Sequence, residues 1–350
     1  MQAELRSWLI LTIVMLGLTA CSQSSDCFQT DVFCAALVTD TQGMDDHGLN
    51  QDTWAGLERA QEDGIVEQIE FIESIDSRDY GKNIAYFVER GFDVIVTIGP
   101  GLHDETLRAA DLKPVDPALG NPQAAPVFVG INQAGDEFRP NFIPITFKED
   151  QMGFLAGALS GRISETKIVG AVCEASGIDS MWRYCEGFRA GVIFMNRSAG
   201  ESVKPLVVYR DDGDREKLFL DVDWGYASAL SLIQRGADVI FAAGGATGQG
   251  ALRAATEAGI ISIGTERNQA AALAGSGSGV CTSILGNAGF DLQKILRLLG
   301  EGKMVKAQSG QIKYIPLDQI FSDSLTRNLD LLLSRLQTGE VKTNVTLTKP

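Results

Sequence analysis

The chain has 350 residues, a formal net charge of −15 and only two histidines. The negative charge argues against a nucleic-acid partner and favours solubility. His47 and His103 show no metal-ligand spacing with each other or with a cysteine, so we predict neither a zinc site nor another cofactor. Without its N-terminal apolar segment the chain keeps about 330 residues, which is large for one compact core and favours two α/β lobes.

The N-terminal segment has the layout of a signal peptide. Arg6 supplies a positive end, residues 8–18 are apolar, and Leu18-Thr19-Ala20-Cys21 closes the segment. The apolar run is short for a membrane-spanning helix, which needs ~20 apolar residues. A cysteine at the cleavage point is typical of a bacterial lipobox. We therefore predict a signal peptide over 1–20, lipidation of Cys21 and a polar tether over 21–32, with an ordinary secreted protein as the alternative.

The other cysteines of an exported chain are expected to form disulfides. Cys27 and Cys34 flank a short loop before the first predicted strand, and Cys173 and Cys185 flank another short segment. The simplest pairing is Cys27–Cys34 with Cys173–Cys185, which leaves Cys281 as a buried thiol. Each bridge would contribute roughly 2–3 kcal/mol by closing a short loop. Spacing alone leaves a cross-link such as Cys27–Cys281 open.

In the first half of the chain, short apolar strands alternate with amphipathic helices. The predicted strands are 33–39, 68–73, 92–98, 126–131 and 141–146, and the predicted helices are 50–62, 78–90, 104–110 and 150–160. In the last of these helices Gly153, Gly157 and Gly161 are expected to allow close packing against a neighbour.

The same pattern restarts at residue 167. The predicted strands are 167–172, 203–209, 239–243 and 260–264, and the predicted helices are 181–194, 223–235 and 248–258. Such alternation is typical of parallel sheets covered by helices on both faces. Two successive runs predict two doubly wound lobes joined by several crossings. The predicted division is 33–134 plus 264–290 for the first lobe and 135–263 plus 291–350 for the second.

Ligands of open α/β sheets bind beyond the carboxyl ends of the strands. The segments to inspect are therefore those that follow the strands, namely 40–50, 99–106, 132–133, 174–184, 244–248 and 265–269.

The first of these segments carries the most specific pattern. Its distinctive residues are Asp40, Gly43, Asp45, Asp46, Asn50, Gln51, Trp54 and Gly56. This pattern resembles the opening motif of the basic membrane protein family, bacterial lipoproteins that include the purine nucleoside receptors of ATP-driven transporters. Further segments match in the same order over roughly residues 35–300. They are 91–95 with 99–101, 150–157, Gly187-Phe188-Arg189-Ala190-Gly191, 236–240, 244–248, 263–269 and 281–283.

The resemblance implies a periplasmic-binding-protein type I fold, in which two doubly wound parallel-sheet lobes of an α/β chain share a multi-crossing hinge. It implies a solute-binding protein of an ABC-type uptake system and not an enzyme. Such a protein is lipid-anchored to the cell membrane and extracytoplasmic, in the periplasm or on the outer face. Its ligand would be a purine nucleoside, a nucleobase or a related small polar solute. Its partners would be that ligand and the permease subunits, and we expect a monomer.

The resemblance also implies which residues contact the ligand. Aromatic faces would stack on a base, and carboxylates or amides would meet its edge and the sugar hydroxyls. The implied contacts are Asp40, Asp45 and Asn50 at the base edge, Leu49 in place of a family aromatic, Tyr184 stacking on the base, and Gly244, Gly245 and Glu266 at the ribose. Trp182 and Trp224 are further candidate ring contacts.

Three positions depart from the family pattern. Leu49 replaces an aromatic residue, Glu266 replaces an aspartate, and Gly286 replaces a lysine. These departures predict a reshaped pocket, for which a free base or another small polar solute is an alternative to a nucleoside.

Several of these residues also have a purely structural interpretation. Asp46 and Asn50 stand where a helix cap is expected. The glycine turns at Gly99 and Gly244 match no complete nucleotide fingerprint, so we interpret them first as tight turns. Trp54 is interpreted as a core residue, and both histidines as solvated loop residues.

Two other functions are alternatives to a transport receptor. A hydrolase would need a nucleophile with a base, or two converging carboxylates. The chain has no G-x-S-x-G, and Ser283 has no evident histidine partner in the sequence. A ligand-sensing lipoprotein that feeds a signalling partner has the same sequence features as a transport receptor.

Overall fold

The structure is a computed structural model that describes residues 27–29, 31–112, 125–135, 138–175, 177–210, 217–273, 279–317 and 321–349. The predicted signal peptide and the lipidation site at Cys21 lie outside these residues. Among the described helices, none is long and apolar enough to cross a membrane.

The first lobe is built on a six-stranded sheet whose strands all run parallel. Numbered along the whole chain, its strands are β1 Cys34–Val38, β2 Gln68–Ile72, β3 Val94–Ile98, β4 Val127–Ile131, β5 Phe142–Thr146 and β11 Gln308–Ser309. Their order across the sheet is β11-β5-β4-β3-β1-β2. The helices are α1 Leu49–Glu62, α2 Tyr80–Glu89, α3 His103–Leu112 and α9 Ala288–Gly300.

Helices cover both faces of this sheet because side chains of a strand alternate between its two faces. Leu37 of β1 clusters with Leu57 of α1 and Leu296 of α9. Its neighbour Val38 clusters on the opposite face with Phe87 of α2.

The second lobe repeats this arrangement. Its strands are β6 Ile168–Ala175, β7 Lys204–Arg210, β8 Val239–Ala243, β9 Ile261–Thr265, β10 Val280–Gly286 and β12 Ile312–Tyr314. The order is β12-β10-β9-β8-β6-β7, with β12 antiparallel at the edge. Its helices are α4 Glu149–Ile163, α5 Asp179–Ala199, α6 Val222–Gln234, α7 Gly245–Glu257, α8 Gln269–Ala272 and α10 Asp323–Gln337. The predicted class of two doubly wound lobes is confirmed.

The chain crosses between the two sheets at positions that differ from the predicted lobe boundaries near residues 135, 263 and 290. The crossings lie at 147–148 after β5, at 287 after β10, and at 310–311 between β11 and β12. The lobes of the structure differ from the predicted division because β5 pairs with β4 in the first sheet, whereas β9 and β10 pair with each other in the second. Helix α9 then returns to the first lobe.

A phenylalanine ring lies where the three crossings meet. Phe147 is 5% exposed and belongs to a hydrophobic cluster that contains Val96 of the first sheet and Phe241 of the second. A Cβ added at Gly286 would lie 2.6 Å from this ring, and one added at Gly310 would also overlap it. The ring therefore fills space that two glycines leave open.

Both predicted disulfides are formed. Cys27–Cys34 ties the segment before β1 to that strand, and Cys173–Cys185 ties β6 to α5. Cys281 is buried in the second lobe, as predicted. Both bridges link residues of the same lobe, and they restrict the chain next to β1 and α5. The two lobes are therefore joined by the crossings and not by a disulfide among the described residues.

Candidate functional site between the lobes

The loops that follow the strands of the two sheets meet each other. The backbone N–H of Asn268, after β9, donates to the carbonyl of His47 at 2.7 Å. Arg267 hydrogen-bonds the side chain of Gln42 across the same gap. The carboxyl edges of both sheets thus border one interlobe cleft, which is where ligands of open α/β sheets bind.

The first lobe contributes a network of two carboxylates and one amide. Nδ2 of Asn50 donates to Oδ1 of Asp40 at 2.8 Å and to Oδ2 of Asp46 at 3.1 Å. Asp46 also accepts from the backbone N–H groups of Gly48 at 2.7 Å, Asn50 at 3.0 Å and Gln51 at 3.2 Å. Asp46 therefore binds the free amides of the first turn of α1, in agreement with its interpretation as a helix cap.

This network fixes the orientation of the Asn50 amide. An amide oxygen cannot face two carboxylates, so the donor side must point at Asp40 and Asp46. Oδ1 of Asn50 is buried and has no hydrogen-bond partner among the described residues. Because an unsatisfied buried acceptor costs about 1–3 kcal/mol, this oxygen is a position that a ligand donor would fill.

Asp45 points away from this network. Its side chain is 87% exposed, and its nearest ion-pair partner is Nδ1 of His47 at 3.7 Å. Leu49 is half-buried and packs against the main hydrophobic cluster. The loop thus brings Asp40 and Asn50 together, as expected from the resemblance, and turns Asp45 to the solvent.

A residue that we did not single out from the sequence lies beside this network. Gln133, after β4, is 1% exposed, and its Nε2 donates to Oγ1 of Thr97 at 3.0 Å. Its Oε1 is buried and lacks a partner in the described part of the chain. Segment 132–133 follows a strand, so the sequence marks it for inspection. Both of its residues are polar amides, however, and polarity alone does not show that Gln133 and not Asn132 is the buried one.

In the second lobe the predicted glycine turn opens α7. Gly244 and Gly245 have φ values of 115° and 57°, a left-handed region that favours glycine. Burial raises the pKa of Glu266, and the charge of Arg267 and the backbone N–H of Gly245 beside its carboxylate oppose the rise. These three predicted residues are therefore together, and a carboxylate already occupies the N-terminal end of the helix.

Tyr184 lies in the core and does not present a free ring face. It is 4% exposed, its ring centroid is 6.4 Å from that of Phe241, and its hydroxyl lies 3.9 Å from the sulfur of Met152. Burial raises its pKa well above the ordinary value, and the nearby carboxylates of Glu266 and Glu149 act in the same direction. The hydroxyl thus lies near the cleft while the ring is packed.

The two tryptophans pack against other side chains of the second lobe. Trp182 stacks on Tyr209 with ring centroids 5.9 Å apart and donates to Oγ1 of Thr346 at 3.2 Å. It is therefore covered by the C-terminal segment. Trp224 begins α6 and has the guanidinium of Arg210 over its ring at 5.9 Å. In these positions both rings pack within the second lobe.

The chemistry of the cleft is that of hydrogen-bond acceptors. Within the ranges that the structure describes, no group of three or more histidine, cysteine, aspartate or glutamate side chains is placed to hold a metal ion. The facing edges instead present carboxylates and amide oxygens.

Residues 33–309 match the model of the Bmp family, which is described as ABC transporter substrate-binding protein PnrA-like. The chain belongs to this family. The match includes the strands up to β11 and ends before β12 and α10. The predicted membership of the basic membrane protein family is confirmed.

Two relatives illustrate the similarity. The CD4+ T-cell-stimulating antigen of Listeria monocytogenes is 32% identical over 256 residues, which are 70% of this chain and 64% of the relative. The ABC transporter nucleoside-binding protein BmpA of Lactococcus lactis is 25% identical over 219 residues, which are 62% of this chain and 56% of the relative. The chain thus spans less than two thirds of the length of these relatives.

A solved structure shares the fold. The ABC transporter solute-binding protein from Conexibacter woesei has a TM-score of 0.71 at 21% identity, and the match covers 91% of this chain and 100% of that chain. The predicted periplasmic-binding-protein type I fold is confirmed.

Proposed function

We propose that this Bmp-family protein is the extracytoplasmic receptor of an ABC-type uptake system and that it binds a purine nucleoside or nucleobase between its lobes. The observation that carries the proposal is the buried Oδ1 of Asn50, which has no hydrogen-bond partner among the described residues and whose amide is held by Asp40 and Asp46. Purine bases and ribose offer N–H and O–H donors that suit such acceptors. The similarity to the nucleoside-binding protein BmpA of Lactococcus lactis supports the nucleoside class.

The two-lobe arrangement explains how binding would be signalled to a transporter. A ligand held by Asn50 on one lobe and by the Gly245–Glu266 turn on the other contacts both lobes only when the cleft is closed. It would stabilise the closed state by no more than its difference in affinity for the two states. Permease subunits that recognise the closed form would then accept the loaded receptor.

A lipid anchor completes the proposal. Leu18-Thr19-Ala20-Cys21 ends the apolar segment at the place of a lipobox. Lipidation of Cys21 would hold the receptor at the outer surface of the membrane. Mass spectrometry of the N-terminal peptide from cells would reveal either the acyl mass on Cys21 or an unmodified cut site.

The ligand is tested by thermal unfolding of the full-length protein in mild detergent. Purine nucleosides, pyrimidine nucleosides, free bases and sugars would each be added at increasing concentration. A ligand at 100 times its Kd adds about 2.7 kcal/mol of stability, which shifts the melting temperature visibly. We expect purine nucleosides or bases to give this shift.

Asn50→Ala tests the site itself. Removal of the acceptor should weaken the binding of a shifting purine by about 10- to 100-fold. The matched control is Asn141→Ala, another buried asparagine, which precedes β5 at the opposite edge of the same sheet and donates to the carbonyl of Ala110 at 3.3 Å. Both variants should lose stability, but only Asn50→Ala should lose the ligand. Shifts with sugars alone would contradict the purine class, and turnover of a nucleoside would contradict the receptor.

A further inference from the structure

A second buried acceptor lies at the carboxyl edge of the second sheet. Glu174 is the penultimate residue of β6, and it is 0% exposed. Its Oε1 lies 3.4 Å from Nη1 of Arg210. Its Oε2 is buried and has no hydrogen-bond partner within the described residues. Native proteins leave few buried carboxylate oxygens without a donor, so this oxygen calls for an explanation.

Glu174 lies against the glycine turn that opens α7. A Cβ added at Gly244 would lie 2.6 Å from the Cβ of Glu174. The pairing of β6 with β7 is irregular at this point, because Cys173 pairs with Tyr209 and Ala175 pairs with Arg210. Glu174 is thus the extra residue of a β-bulge, a feature that redirects side chains and is common beside active sites.

The side chain of Glu174 is held firmly. Nη2 of Arg210 also pairs with Oδ2 of Asp221 at 2.8 Å, and the side chain of Arg210 is only 8% exposed. Asp221 caps α6 by accepting from the N–H of Trp224 at 3.1 Å. The position of the Glu174 carboxylate is therefore set by α6 and β7, so its free oxygen is preorganised for a partner.

We propose that Glu174 is a specificity-determining residue of the second lobe and that its Oε2 accepts a hydrogen bond from a ribose hydroxyl of a bound nucleoside. The inference rests on the proposed nucleoside ligand, whose sugar end would lie at the neighbouring Gly244–Gly245 turn. A hydroxyl is a neutral donor, and its bond to a carboxylate is stronger than a bond between neutral groups. A free base lacks this donor, so Glu174 favours nucleosides over bases.

The test compares nucleosides with their dideoxy analogues on wild type and on a Glu174 variant. Isothermal titration calorimetry of the full-length protein in detergent would use adenosine, guanosine and inosine, each against its 2′,3′-dideoxy analogue. Wild type should bind the dideoxy analogue about 10- to 100-fold more weakly. Glu174→Gln should lose a similar factor for the nucleoside and less than about threefold for the analogue, because the lost partner is the same.

The matched control is Glu186→Gln on α5, whose carboxylate already accepts from the hydroxyl of Tyr209 at 2.9 Å and pairs with Arg189 at 3.0 Å. It should behave as wild type with both ligands.

Each other outcome overturns the inference. Equal weakening of both ligands by Glu174→Gln would mean that Glu174 acts only through the structure of the lobe. Equal affinity of wild type for a nucleoside and its dideoxy analogue would show that the protein does not bind the ribose hydroxyls. This outcome needs only the wild-type protein, so it can be obtained even if the variant does not fold. If wild type binds free bases but no nucleoside, the inference fails and the proposed function stands. If it binds neither nucleosides nor free bases, the proposed function fails together with the inference.

Discussion

At the scale of single residues, one buried carboxylate near the crossings makes stability depend on pH. Asp291 on α9 is 8% exposed and accepts from the backbone N–H of Gln311 at 2.7 Å. Burial is the largest cause that raises the pKa of Asp291 to about 6. The carboxylate of Asp52 acts in the same direction, whereas Lys294 and Lys313 oppose it.

Asp291→Asn should stabilise the protein at high pH only. Because the folded-state pKa of Asp291 lies above the unfolded value near 3.9, the free energy of unfolding of wild type falls as pH rises from about 4 to about 6. Asparagine carries no charge and keeps an oxygen for the N–H of Gln311. Urea unfolding should show equal stability at about pH 4 and a gain of about 1–3 kcal/mol at about pH 8.

Asp45→Asn is the control for this prediction, since the Asp45 side chain is 87% exposed. It should show no gain that depends on pH. A difference between Asp291→Asn and wild type that is the same at both pH values would mean that packing, and not the buried charge, is responsible.

The direction of single side chains was the least predictable feature. The sequence places Asp45 and Asp46 next to each other in one loop. Which of the two carboxylates reaches the first turn of α1 depends on the local backbone conformation of that loop. The resemblance favoured Asp45 as a ligand contact, and in the structure Asp45 is exposed. Glu174, which we propose as a ligand contact, begins the inspected segment 174–184 but was not singled out. The sequence does not reveal that one of its carboxylate oxygens is buried without a donor among the described residues.

At the scale of elements, α4 and α5 pack so closely that their glycines touch the partner backbone. A Cβ added at Gly157 would overlap the carbonyl oxygen of Phe188, and one added at Gly191 would overlap that of Phe154. By contrast, the nearest atom to a Cβ added at Gly161 is the Cβ of Met195 at 3.4 Å. Close packing was predicted for all three glycines of α4, yet at Gly161 the contact is an ordinary one.

Gly157→Ala and Gly161→Ala should therefore have opposite effects. Alanine favours a helix over glycine by about 1 kcal/mol, so Gly161→Ala should be neutral or slightly stabilising. At Gly157 the overlap must push the helices apart, which should cost about 1–3 kcal/mol in spite of that preference. Thermal and urea unfolding of both variants would check this, and equal effects would contradict the close contact.

Elements were predictable because hydrophobic periodicity is a local property. The predicted strand 239–243 agrees with β8, and the predicted helix 50–62 agrees with α1 within one residue. The sheet to which a strand belongs is not local. Strands β5 and β10 are apolar runs like the others, and only their hydrogen bonds to β4 and β9 assign them to different lobes.

At the scale of the whole molecule, the meeting of the crossings requires a small residue at Gly286. This residue ends β10, where the chain leaves the second sheet, and its missing side chain makes room for the ring of Phe147 from another crossing. The resemblance implies a lysine at this position, and any side chain there would meet that ring. Because the ring belongs to a cluster that contains residues of both sheets, a larger residue at 286 would disturb the packing where the two lobes join.

A double-mutant cycle of Gly286→Ala and Phe147→Leu tests this exchange of space. Gly286→Ala should destabilise the protein by about 1–3 kcal/mol because the new Cβ meets a buried ring that packs between two crossings. In the Phe147→Leu background the same substitution should cost at least about 1 kcal/mol less, since the smaller side chain leaves room for the methyl group. Urea unfolding of the four proteins gives the coupling free energy. Costs that add within about 0.5 kcal/mol would mean that ring and glycine are independent, and the absence of a lysine at 286 would then need another physical reason.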